Sequence, residues 1–166
     1  MEKLRRINTT LVLIEKDNKI LLGQKKRGFA KGTFNGIGGK QDPGETIEQT
    51  MIRECQEEIG ATPTKYEQAG SIHFDVWYKG ERVDMCLYIY SCSEYSGEIV
   101  ETEEMIPQWF DKQHLPYDKM LEDDKLWYAY FLQGKKFVGD VVFDQDMKML
   151  SNKFEEVNDD KIFANL

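Results

Sequence analysis

Apolar and polar residues alternate along much of this chain, and the alternation changes period in ways that mark out elements. Asn8–Ile14 reads as a strand. The turn Lys16-Asp17-Asn18-Lys19 follows, then a second short strand at Ile20–Gln24. The stretch from Gly28 to Gly39 holds five glycines interrupted by Phe29 and Phe34 and reads as a loop. After the turn Pro43-Gly44 the period lengthens. Ile47, Met51, Cys55 and Ile59 recur every four residues, as the core-facing ladder of a helix does. Thr46 with Gln49 has the form of a capping box at its start, and Gly60 is placed to end it. A period of two returns at Ile72, Phe74, Val76 and Tyr78, and Val83 to Cys92 is another strand rich in β-branched and aromatic residues. The two flank Lys79-Gly80-Glu81, which predicts a hairpin. Gln108–Asp111 is expected as a short strand, Asp124 to Gln133 as a second helix closed by Gly134, and Lys136–Phe143 as a strand, after which an acidic tail ends the chain. Strands and two helices in this order predict an α+β fold, an α/β/α sandwich with a mixed sheet between helices.

The first helix carries the candidate chemistry. Glu54, Glu57 and Glu58 crowd into a turn and a half and, at about 100° per residue, fan over an arc of roughly 100°. Like charges at this spacing repel and call for a counter-charge. A divalent cation is the simplest, and magnesium favours carboxylates that leave room for water, with phosphate oxygens completing the shell. Glu58 lies between the other carboxylates and the apolar ladder, so it sits at the edge of the buried face, where an unpaired charge is costly. Arg53 stands four residues before Glu57 and can hold it from the outer side. Taken alone, such a run is more often a solvated, salt-bridged helix face.

The wider spacing goes further. Gly39, Glu45, Arg53, Glu54, Glu57, Glu58 and Gly60 occupy every Gly, Glu and Arg position of G-x5-E-x7-R-E-U-x-E-E-x-G-U, where U is bulky and aliphatic. This resembles the Nudix box. The U positions hold Cys55 and Ala61, smaller than usual, which affects packing and leaves the chemistry untouched. Leu11–Leu13, Gly23–Phe29, Asn35-Gly36 and Trp109-Phe110 also look like MutT-type enzymes, with the vertebrate 8-oxo-dGTPase branch the nearest likeness, over a core of about residues 9–157 of one domain spanning 1–166. The resemblance implies a Nudix fold and magnesium-dependent hydrolysis of oxidised purine nucleoside triphosphates, such as 8-oxo-dGTP, to a monophosphate and pyrophosphate, clearing damaged nucleotides from the pool. Manganese is a possible replacement for magnesium.

Carried over by position, the resemblance implies that the Gly38 carbonyl with Glu54, Glu57, Glu58 and Glu104 holds the metal. Arg53 orients a glutamate. Lys25 lies near the phosphates. Asn35, Asp123 and Asp124 read the purine edge, and Thr10, Phe29, Phe74 and Trp127 form pocket walls. Taken without the resemblance, Asp123-Asp124 is a helix N-cap pair, the aromatics are core, Asn35 is a turn residue, and Glu103-Glu104 is a plain acidic loop. Where the related enzymes stack a tryptophan on the base, this chain has Leu121. Two rival functions keep the box: a pyrophosphatase for ADP-ribose or a dinucleoside polyphosphate, and a non-catalytic nucleotide-binding domain.

Composition narrows the partners. A net charge of −8 over 166 residues argues against nucleic-acid or membrane-surface binding. The longest apolar runs, such as Thr10–Ile14, fall far short of a bilayer span, and the N-terminal segment lacks the apolar stretch of a signal peptide. Three cysteines without metal-ligand spacing read as buried thiols in a reducing, cytoplasmic compartment. A small nucleotide is the expected partner, bound by a monomer or homodimer. His73 in a strand pattern reads as structural.

Overall fold

The computed structural model describes residues 3–159, so Met1, Glu2 and the end of the acidic tail from Asp160 lie outside it. Eight strands and two helices occur in the order β1 (Arg5–Lys16), β2 (Lys19–Lys25), β3 (Phe34–Asn35), α1 (Ile47–Ile59), β4 (Thr62–Tyr78), β5 (Glu81–Ser96), β6 (Met105–Asp111), α2 (Asp124–Phe131), β7 (Phe137–Phe143) and β8 (Met149–Glu156). The strands form one mixed sheet in the order β3-β2-β1-β5-β4-β7-β8, with β6 also paired to β2. β1 runs parallel to β5 and β4 parallel to β7; the other pairs are antiparallel.

Each helix covers one face. Met51, Cys55 and Ile59 of α1 pack on Val12, Ile14, Leu21, Cys86, Tyr88 and Tyr90. Trp127, Tyr128 and Phe131 of α2 pack with Leu13, Ile20, Leu22, Val83 and Ile89 on the other side. Alternate residues of β1, β2 and β5 therefore serve opposite cores, and strands buried on both faces read as near-continuous apolar runs. This is the expected α/β/α sandwich.

Local chemistry sets the element ends. Thr46 Oγ1 accepts from the Gln49 N–H at 3.1 Å while Gln49 Oε1 accepts from the Thr46 N–H at 2.9 Å. The reciprocal capping box is formed. Asp17-Asn18 and Lys79-Gly80 have positive φ at both turn positions. That geometry matches the strand twist and closes both the expected turn between β1 and β2 and the expected hairpin of β4 and β5.

Three departures from the sequence expectations have physical causes. β4 begins at Thr62 rather than Ile72, because bulges between Pro63 and Lys65, Lys65 and Tyr66, and Gln68 and Gly70 break the two-residue alternation of its first half. Residues 149–156, to which the sequence pattern assigned no element, form β8, an edge strand paired to β7 with most of its side chains in solvent. β3 pairs with β2 inside what was expected to be a loop. Among the described residues, no helix is long and apolar enough to cross a membrane.

Thr46→Ala removes the cap and leaves the α1 packing face intact. The expected result is a loss of about 1 kcal/mol in unfolding free energy by chemical denaturation, with turnover preserved.

Candidate active site

The glycine loop between β3 and α1 runs along β1 and beneath α1. The Thr10 N–H donates to the Gly39 carbonyl at 2.9 Å, and Val12 and Ile37 exchange hydrogen bonds of 2.6 and 3.1 Å. The approach is too close for side chains. A Cβ on Gly38 would stand 1.8 Å from the Thr10 carbonyl oxygen, and one on Gly39 2.4 Å from the Glu54 carboxylate carbon. The loop backbone and the α1 carboxylates can therefore meet.

Arg53 organises that meeting. Its Nε and Nη2 donate to the two oxygens of Glu45 at 2.6 and 2.9 Å, and Nη1 donates to Glu54 at 2.9 Å and to Glu57 at 3.1 Å. Sequence reasoning foresaw the Glu57 contact. It assigned no partner to Glu45, the fork's main acceptor, which precedes the α1 N-cap and stands about two helical turns before Arg53. The guanidinium lowers the Glu45 carboxyl to about 2. Glu57 remains the most exposed of the set, at 54% of its side chain, while Glu54 is at 14%.

Glu58 has no such clamp. It is buried, and it accepts a long contact from the Gly38 N–H at 3.4 Å. Burial first, then the charge of Glu54 and that of Glu104, push its carboxyl up to about 8. Burial also raises Glu54, against the pull of Arg53, with Glu57 and Glu104 adding repulsion. The fold thus collects the α1 glutamates and the loop glutamate around one negative focus. Thr102 Oγ1 ties the 101–104 loop to the Glu58 carbonyl at 2.7 Å, and Arg27 reaches Glu104 at 3.2 Å. An all-oxygen, like-charged donor set with a carboxyl that burial disfavours as an anion fits a hard divalent cation.

On the opposite face of the sheet lies an apolar cavity of about 310 Å³. Leu11, Phe74, Met85, Leu87 and Phe143 line it, with Leu121 at the wall, and Phe74 lies parallel to Phe143 at 6.1 Å. Polar groups converge on it from Asn35, Asp123, Asp124 and Lys25. Asn35 Nδ2 donates to Thr33 at 3.1 Å. Lys25 sits 5.9 Å over the ring of Phe29, which is 59% exposed, and its charge also favours ionised Glu58. Lys25 therefore stands between the cavity and the carboxylates.

Asp123 and Asp124 are almost wholly buried. The Trp127 indole N–H is shared between Asp123 Oδ2 and Asp124 Oδ1, at 3.1 Å each, and Asp124 Oδ2 accepts from the Leu121 N–H at 3.2 Å. Asp123 Oδ1 is buried with no partner. Burial raises both carboxyls, Asp123 to about 6 and Asp124 well above the usual carboxylate range, where the charge of Asp123 adds to the effect. Neither side chain caps α2, so the helix-cap reading of this pair is set aside.

Two expected wall residues are elsewhere. Thr10 shares the α1 face with Val12 and Ile14, and its neighbour Thr9 lines the cavity, since successive strand residues face opposite ways. Trp127 lies 1% exposed within the α2 core and carries the two aspartates rather than forming the wall. Met85, Leu87 and Phe143 were missed as wall residues; the alternation through β5 and the end of β7 was their signal.

Comparison with known proteins agrees with this geometry. The NUDIX domain family profile matches residues 4–133. The chain is 43% identical over 150 residues to a protein of Danio rerio named oxidized purine nucleoside triphosphate hydrolase, covering 90% of this chain and 95% of that one. It is 40% identical over 149 residues to the protein of the same name from Mus musculus, covering 90% and 94%. A MutT protein from Bacillus halodurans superimposes with a TM-score of 0.79 at 26% identity, covering 90% of this chain and 97% of that chain. A complete box on a helix packed over a glycine loop, in a fold shared with MutT, places this chain in the Nudix hydrolase family.

Proposed function

We propose that this protein hydrolyses oxidised purine nucleoside triphosphates such as 8-oxo-dGTP to the nucleoside monophosphate and pyrophosphate, in the cytoplasm and as a pool-cleaning activity. One observation carries this reading: the unpartnered, buried Asp123 Oδ1 at an apolar cavity that Lys25 links to the carboxylate focus. A purine is flat and apolar on its faces and polar at its edge, which suits this lining. An aspartate pair in which burial retains one proton offers an acceptor and a donor side by side, and Asn35 adds an amide. The name shared by the fish and mouse relatives supports the same substrate class.

Glu54, Glu57, Glu58, Glu104 and the Gly38 carbonyl are the residues that would hold magnesium, or manganese in its place. When bound, such an ion neutralises phosphate charge and lowers the cost of generating hydroxide from water. This chain's residues do the rest. Arg53 fixes Glu54 and Glu57 in place, and a box glutamate takes the proton from the attacking water. Lys25 offsets the negative charge of the polyphosphate as the cavity holds the base. The acidic surface makes nucleic acid and membranes poor partners.

Glu57→Gln keeps the side-chain shape at an exposed position. Turnover should fall by several orders of magnitude while the circular dichroism spectrum and thermal midpoint stay close to wild type. Pyrophosphate release, followed in parallel with 8-oxo-dGTP, dGTP and ADP-ribose and with magnesium present or chelated, tests the substrate class; a preference for ADP-ribose would defeat it.

Leu121→Trp restores an aromatic platform at the cavity wall. Stacking is worth ~1–3 kcal/mol per base, so KM for purine triphosphates should drop by roughly tenfold, with a smaller change for a pyrimidine triphosphate.

The aspartate pair also links stability to pH. Its folded-state values lie above the usual 3.8, so the folded chain keeps protons that the unfolded chain releases, and stability is lost as pH rises through about 6 and beyond. Asp124→Asn cannot titrate. Between about pH 5 and about pH 8 its thermal midpoint should fall less than that of wild type.

A further inference from the structure

On the α1 face of the sheet, among side chains that neither the carboxylate cluster nor the base cavity uses, three strands bring different ligand types together. His73 of β4 pairs with Cys86 of β5 on one side and with Asp140 of β7 on the other. Asp84 lies two residues before Cys86 and so faces the same way. His73 Nδ1 is 3.0 Å from Asp84 Oδ1 and 3.3 Å from Cys86 Sγ. The three ligand atoms all fall within 4.8 Å of one another.

We propose that His73 Nδ1, Asp84 Oδ1 and Cys86 Sγ form a zinc site distinct from the carboxylate cluster. Nitrogen, thiolate and carboxylate together suit a borderline-soft ion, whereas the box offers only oxygen. A tetrahedral ion with bonds of about 2.0–2.3 Å separates its ligands by about 3.3–3.8 Å, close to the spacings already present. The outer contacts fit as well. Arg6 Nε and Nη2 donate to Asp84 Oδ2 at 3.1 and 3.0 Å, which engages one carboxylate oxygen and leaves the other aimed at His73. A cleft of about 580 Å³ opens beside His73 and Asp84 and is also lined by Asp140. That cleft gives a fourth ligand, water or the Asp140 carboxylate, a way in.

Burial pushes the Cys86 thiol up to about 12, so the sulfur is protonated until a cation arrives, and loading releases its proton to solvent. Phe74 and Met85 directly follow His73 and Asp84 and line the base cavity on the other face. An ion here would cross-link the strands that carry that wall.

The test is cobalt titration of the full chain, stripped with chelator and kept in excess magnesium to fill the box. Binding at this site yields a thiolate-to-cobalt charge-transfer band, which glutamate oxygens cannot produce. The band should saturate at one cobalt per chain, be displaced by zinc, and vanish in Cys86→Ala. No band, or a band that survives Cys86→Ala, overturns the proposal. Should Cys86→Ala not fold, His73→Asn at a half-buried position serves instead. Its apparent cobalt affinity should fall by more than about tenfold, and an unchanged affinity overturns the proposal.

Discussion

The site depends on one close contact, the passage of the Gly38-Gly39 backbone between β1 and α1. Hydrogen bonds from β1 hold the loop against the strand, and the helix is clamped above it by Met51, Cys55 and Ile59. With no room for a Cβ at either glycine, the loop backbone lies against the carboxylates of Glu54 and Glu58. The helix is thus forced to present acidic groups to a buried surface. A water-exposed helix would scatter the same charges outward.

Two opposing treatments of carboxylates follow. Arg53 hydrogen-bonds Glu45, Glu54 and Glu57, holds the Glu45 carboxyl down and ties α1 to the preceding turn. Glu58 is left to burial, and its carboxyl is displaced upward. The single arginine offsets only part of the charge around it, and Glu58 keeps no more than a long contact of 3.4 Å from the Gly38 N–H. That residual frustration is the physical content of a cation site. On the other face the aspartates at the start of α2 follow the same logic: Trp127 satisfies part of their demand and Asp123 Oδ1 remains open at the cavity.

The sheet is what relates the two faces. Because strand side chains alternate, β1 sends Thr9 and Leu11 to the cavity and Val12 and Ile14 to α1, and β5 sends Met85 and Leu87 one way and Cys86 and Tyr88 the other. The proposed nucleotide would set its base on one face and pass its phosphates by Lys25 toward the other. The two-sided burial also explains why the central strands carry so little polar alternation.

Much of this was written in local sequence. The capping box, the two hairpin turns, the α1 ladder and the position of Glu58 at its edge follow from short-range periodicity and steric rules, so they could be read directly. The box spacing and the resemblance it carries named the carboxylates. What remained hidden depended on partners distant in the chain. Residues 149–156 become a strand only because β7 offers an edge, and the first half of β4 is obscured by bulges that matter only in pairing. Thr10 and Trp127 were placed at the wall by position in a motif, but strand parity turned Thr9 inward, and helix packing buried Trp127 beneath the aspartates it supports. The grip of Arg53 on Glu45 and the meeting of His73, Asp84 and Cys86 likewise come from folding. Sequence settled which residue types were available and their local geometry; tertiary structure decided which of them share a space, because burial and charge neighbours exist only once the chain has closed on itself.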